Sequence, residues 1–133
     1  MPSLLVGVVL IFISAFRSLQ SMTYNLKLGA DISGLHPAMW EVLPVIEACF
    51  LAESDGVPFT ITEGKSEGAG VHGGGDPDRT LHDDGLAIDV RTRNLAPNKA
   101  ERIRARIVTK LSSRGVQVVM HDTHMHVERE GFI

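Results

Sequence analysis

The sequence predicts an α+β domain, with an antiparallel sheet carrying a cluster of polar, metal-seeking side chains on one face and two main helices on the other. Three observations lead there. Two short segments, 79–90 and 121–126, each centre on a turn dipeptide and together hold four of the six histidines. Two apolar stripes of helical period lie around residues 39–50 and 100–111. Strand-like alternation leads into or out of each histidine segment. At 133 residues, 44% hydrophobic and 22% charged, the chain has the size and composition of one folded domain.

Residues 4–16 form a nearly unbroken apolar run, shorter than the ~20 residues of a membrane-spanning helix. The length suits a signal-peptide core, yet no lysine or arginine precedes it, Arg17 follows it, and no small-x-small cleavage site is evident. Three readings fit: a membrane anchor, a cleaved signal, or an upstream extension of a frame that starts at Met22. The chain therefore divides into an apolar segment, 1–21, and a domain, 22–133, with membrane association possible through the former.

Residues 24–28 alternate weakly, as a short strand does, and 31–34 resemble a turn. A helix is expected from Pro37, with Met39, Leu43, Ile46 and Phe50 on its buried stripe, each contributing roughly 1.5–3 kcal/mol. Pro44 should kink or break it. Trp40 reads as packing. Cys49 lies in the same apolar run and reads as core; as the lone cysteine it has no partner within the chain for a disulfide. Residues 58–62 form a strand that enters a loop, 63–79, containing six glycines. That loop lacks the Gly-Lys-Ser/Thr ending of a phosphate loop, which excludes that mode of nucleotide binding. It contains Lys65 and also His72, the latter read as a solvated loop histidine.

Asp84-Gly85 is a favoured two-residue hairpin turn. With the turn there, His82 pairs with Ala87, and His82, Ala87 and Asp89 share a face while Leu86, Ile88 and Val90 enter the core. Pro97 lies in a connection, 95–99, after which a helix runs to about Ser113 and stops at Gly115. Ala100, Ile103, Ile107 and Leu111 form its buried stripe; Lys99, Arg102, Arg104, Arg106 and Lys110 make the other surface basic. With a net charge of −3 this is read as a solvated face, without a nucleic-acid partner. Residues 116–120 form a strand, Asp122-Thr123 a turn, and 124–128 the return strand. His121 then faces His124, with His126 on the same side.

One imidazole and one carboxylate thus meet up to three imidazoles, with Ala87 leaving room for an ion. Nitrogen donors with one carboxylate suit zinc, and three protein ligands plus water is its catalytic arrangement. A bare His-x-His is weak evidence; joined to His-x6-Asp with glycine and alanine between, it becomes specific.

These residues resemble the zinc D-Ala-D-Ala carboxypeptidase family, which includes vancomycin-resistance D,D-dipeptidases, a murein endopeptidase, phage endolysin peptidases and the hedgehog domain. The family pattern S/T-x-H-x-x-G-x-A-x-D, then H-x-H, is matched by Thr80, His82, Gly85, Ala87 and Asp89, then His124 and His126. The similarity extends from about Met22 to the C-terminus and is greatest to small phage-type members. It implies Zn2+ held by His82, Asp89 and His126, with His124 beside it at the reacting centre. Many relatives place a glutamate a few residues before His-x-His; here His121 stands there, as in the murein endopeptidase branch. Relatives often carry a substrate-binding arginine in the glycine-rich loop, where Lys65 offers a point charge instead of a planar fork. The implied activity is hydrolysis of peptidoglycan peptide stems, carboxypeptidase or endopeptidase in type. His121 would act as base, and Thr80 and Lys65 would hold a substrate carboxylate. Glu128, on the face of His126, is the fallback base or a support for it. The alternative is a zinc-containing wall-binding or phage structural module without turnover; a small membrane protein of a lysis system rests on residues 1–21 alone. A signal or anchor would place the domain in the periplasm or envelope; otherwise it is cytoplasmic or phage-associated.

Overall fold

In the last strand of the chain, His124–Arg129, residues alternate strictly: Met125, Val127 and Arg129 are buried, while His124, His126 and Glu128 point the other way. That alternation organises the sheet. A computed structural model describes residues 24–65 and 81–132. Its elements are β1 (Asn25–Leu26), α1 (Pro37–Glu53), β2 (Thr60–Glu63), a 3-10 turn (Leu81–Asp84), β3 (Ala87–Arg91), α2 (Pro97–Leu111), a second 3-10 turn (Ser112–Arg114), β4 (Val116–Met120) and β5 (His124–Arg129). The fold is α+β. The sheet runs β1-β2-β3-β5-β4 and is antiparallel except that β1 pairs with β2 in parallel. The apolar segment 1–21, His72 and Thr80 lie outside the described residues. Among the described residues, no helix is long and apolar enough to cross a membrane.

The core lies between one sheet face and the two helices. Ile61, Ile88, Val90, Met125 and Val127 meet Met39, Leu43, Ile46, Phe50, Ile103 and Ile107 there, all fully buried. His36 caps α1, its Nδ1 accepting from the Ala38 amide at 2.9 Å, and Pro37 occupies the first turn, where no amide donor is needed. Pro44 does not end the helix as expected; α1 is continuous from Pro37 to Glu53. Burial of Leu43 and Ile46 on either side of it outweighs the ~3 kcal/mol propensity cost of an interior proline. Cys49 is buried in the core, and burial pushes its thiol pKa up.

The stripe on α2 is buried as expected at Ala100, Ile103, Ile107 and Leu111. Gly115, at a φ of 78°, turns the chain from α2 into β4. The basic surface of α2 is largely neutralised. Arg102 and Arg106 each bond Glu53 of α1 at 3.0 Å, Arg104 pairs with Glu101, and Lys99 pairs with Asp55. Buried Arg129 joins β5 to α1, donating to the Ala38 carbonyl at 2.6 Å and to Glu41 at 3.0 Å.

Candidate metal centre

The face of the sheet turned away from the helices carries the polar cluster. In the β3–β5 pairing, Asp89 stands opposite His126, Ala87 opposite Glu128 and Arg91 opposite His124. Cross-strand partners share a face, so this register alone brings the Asp89 carboxylate to His126. Asp89 Oδ1 lies 3.0 Å from His126 Nδ1. The two-residue turn at Asp122-Thr123 is as expected, with the His121 amide bonding the His124 carbonyl at 2.9 Å.

His82 reaches the same point by a different route from the one the turn dipeptide suggests. Asp84-Gly85 does not close a two-strand hairpin. Residues 81–84 form a 3-10 turn, closed by amide bonds from Gly85 to the His82 carbonyl and from Leu86 to the Leu81 carbonyl. The cause is tertiary. The Gly85 carbonyl is taken by the His36 amide at 2.9 Å, and Gly85 is packed so closely on the backbone of residues 34–36 that a Cβ on it would overlap them. Docked there, the turn buries His82 to 2% exposure and places its Nε2 3.2 Å from Asp89 Oδ1 and 3.1 Å from His126 Nδ1.

One atom from each of His82, Asp89 and His126 therefore converges on one point, all within 4.8 Å of one another. The donor chemistry fits a cation. His82 Nδ1 faces the Gly64 carbonyl at 2.8 Å, an acceptor only, so that nitrogen carries the proton. His126 Nε2 faces Glu128 Oε2 at 2.9 Å and is protonated for the same reason. In their neutral forms both rings then aim a lone pair at the other and at an anionic oxygen, an arrangement that a proton or a metal ion must relieve. A tetrahedral zinc with bonds of about 2.0–2.1 Å holds its ligand atoms about 3.3–3.4 Å apart, close to the separations here. The carbonyl and carboxylate behind the rings are the partners that orient metal-binding histidines.

The electrostatics agree. Burial pulls the His82 and His126 pKa values down, but the hydrogen bond and charge of Asp89 outweigh it, with help from Glu63 and Glu128 respectively, and both end raised. Burial acts to raise the Asp89 pKa, and the hydrogen bonds from His126 and His82 hold it well below the usual carboxylate range. His124, whose Nε2 lies 3.5 Å from Asp89 Oδ2, is shifted down chiefly by burial. His121 is exposed, its ring stacked on that of His124 with centroids 4.7 Å apart.

Glu63 joins the cluster without having been singled out from sequence. Its Oε2 lies 3.5 Å from His82 Nε2. The register slips at β2, so that Ile61 pairs with Val90 but Glu63, not Thr62, pairs with Asp89. That irregularity moves Glu63 from the core side to the face of the site. Of His82, Asp89 and His126, Asp89 also lines a cleft of about 600 Å³, together with Glu63, Lys65 and His124. Comparison with known protein families, with curated proteins and with solved structures finds no match for this chain.

Proposed function

We propose that this chain is a zinc-dependent peptidase that hydrolyses peptide bonds of peptidoglycan, of the D-Ala-D-Ala carboxypeptidase or endopeptidase type. The observation that supports the reading is the meeting of His82 Nε2, Asp89 Oδ1 and His126 Nδ1 beside a cleft that Asp89 also lines, with both rings held in the ligating tautomer from behind. His82, Asp89 and His126 would hold the ion. Zinc, when bound, supplies a Lewis acid that brings the pKa of water to about 7. His124, on the open side of Asp89, would donate a hydrogen bond to the developing oxyanion or to the attacking water. The exposed ring of His121 would take the water's proton and return it to the leaving amine. Lys65, with Thr80, would hold a substrate carboxylate. Glu128, engaged with His126 Nε2, keeps that ring oriented and is not free to serve as base.

A second reading, a zinc-containing wall-binding or phage structural module, is favoured by one feature: His121 is solvent-exposed and touches His124, not the three converging atoms. Digestion of purified muropeptides by the zinc-loaded chain, followed by mass spectrometry, decides between them. The enzyme reading expects release of a terminal D-Ala or opening of a crosslink. His82→Ala and Asp89→Ala should lose zinc and activity, and His121→Ala should lose activity alone. Stoichiometric zinc with no product would leave the binding module.

A further inference from the structure

Among the described residues, the cations outside the cleft are paired with a carboxylate, except for Lys110. Arg102, Arg104, Arg106, Arg114 and Arg129 each face a carboxylate within 4.0 Å. Lys27, Arg91 and Arg93 make no ion pair among the described residues, and they line, with Lys65, whose charge acts on Asp31, the cleft that also reaches Glu63, Asp89 and His124. Asp31, the other carboxylate among the described walls outside the cluster, is engaged by the Ser33 hydroxyl at 2.6 Å and the Ser33 amide at 2.9 Å. The remaining carboxylates, Glu63 and Asp89, belong to the histidine cluster.

The placement of the arginines is specific. Arg91 follows Asp89 by two residues in β3, so its side chain leaves the same face of the sheet, roughly 7 Å along the strand from the ligand. Arg93 lies just beyond the strand, where its own amide and that of Thr92 both bond the Thr123 carbonyl, at 3.1 and 3.0 Å. That shared bond fixes the segment against the tip of the β4–β5 hairpin. Seven ångströms is about two residues of extended peptide. A peptide whose scissile bond sits at His82, Asp89 and His126 would therefore present a neighbouring residue's acid group to these guanidinium groups. Among the described residues that line the cleft, His124 carries the one ring, so they offer no aromatic platform for stacking bases, which disfavours a nucleic-acid occupant.

We infer that Arg91 and Arg93 form a subsite for a free carboxylate on the peptide substrate, one or two residues from the bond that is cut, so that the protein distinguishes an acidic peptide from its amide. This inference rests on the peptidase reading and adds its substrate class. In peptidoglycan stems the corresponding group is the free carboxyl of the second residue, which is either ionised or amidated. Amidation removes the charge and one acceptor oxygen while leaving the peptide's shape unchanged.

The test uses the zinc-loaded full chain and two synthetic stem pentapeptides identical except that this carboxyl is free or amidated. Affinity is read by titration calorimetry, and cleavage of the same peptides by mass spectrometry. The free acid should bind about tenfold more tightly, the low end for a charge-assisted hydrogen bond. The variant Arg91→Gln/Arg93→Gln should lose that preference while keeping its zinc and its affinity for the amide. Equal affinity for both peptides with cleavage intact would overturn the subsite and leave the peptidase reading standing. A tenfold preference that survives in the double variant would overturn it too. If neither peptide binds, or a single-stranded oligonucleotide alone competes for these arginines, the subsite and the peptidase reading fall together.

Discussion

Gly85→Ala is the substitution that most directly probes how the candidate metal centre is assembled. Gly85 has a φ of 73°, and a Cβ there would lie 2.6 Å from the Gly34 carbonyl oxygen and 2.7 Å from the His36 nitrogen. Both neighbours are backbone atoms just before α1, so neither yields by a side-chain rotation. A left-handed alanine costs about 1–2 kcal/mol. Separating the backbones also breaks the bond from the His36 amide to the Gly85 carbonyl, about 1 kcal/mol more. The sum is about 2–3 kcal/mol before any steric overlap, which for a domain of this size lowers the melting temperature by about 10 °C. Gly131→Ala is the matched control: φ is 93°, with nothing within 4 Å of the added carbon. It suffers the conformational cost alone. Scanning calorimetry of the two variants separates the contributions, and zinc titration should show weaker binding only in Gly85→Ala, because the turn that carries His82 has lost its dock. A Gly85→Ala protein that melts within about 3 °C of Gly131→Ala, with zinc affinity intact, would refute the proposed role of this contact.

Two further outcomes are expected. Glu128→Gln leaves an acceptor at His126 Nε2 but removes its charge, so zinc affinity should fall about 10–100-fold in competition with a chromophoric chelator; unchanged affinity would show that the carboxylate does not tune the ring. Glu47, on α1, is 4% exposed, its Oε2 has no hydrogen-bond partner among the described residues, and burial raises its pKa to about 7. A raised carboxyl pKa contributes stability that is complete below the ordinary value near 4.5 and is lost as pH rises through about 7. Glu47→Gln should therefore melt higher than the parent at pH 8, by roughly 1–2 kcal/mol after allowance for nearby solvent, and converge with it at pH 5. A difference that does not vary with pH would remove Glu47 as its cause.

Local periodicity accounts for what could be read without coordinates. Alternation in β5 placed His124 and His126 on one face and Met125 and Val127 on the other, and the Asp122-Thr123 turn set His121 against His124. The same holds for the stripe on α2, whose 3.6-residue period depends on nothing outside the helix. Pro44 marks the limit of such reasoning, since its local penalty is overridden by burial on both sides. The basic face of α2 is another case: Glu53 and Asp55, which neutralise much of it, lie more than forty residues away along the chain.

The amino-acid sequence by itself determined which side chains share a strand face and which stripe each helix buries, because both follow from backbone geometry within a few residues. Tertiary structure decided the rest. The pairing of Asp89 with His126, the irregularity that brings Glu63 across, the docking of the His82 turn on residues 34–36, and the Gly64 carbonyl behind the ring all join segments far apart in the chain. Such contacts form only when the core closes and sets the register, and a one-residue slip would send each of these groups to the opposite face.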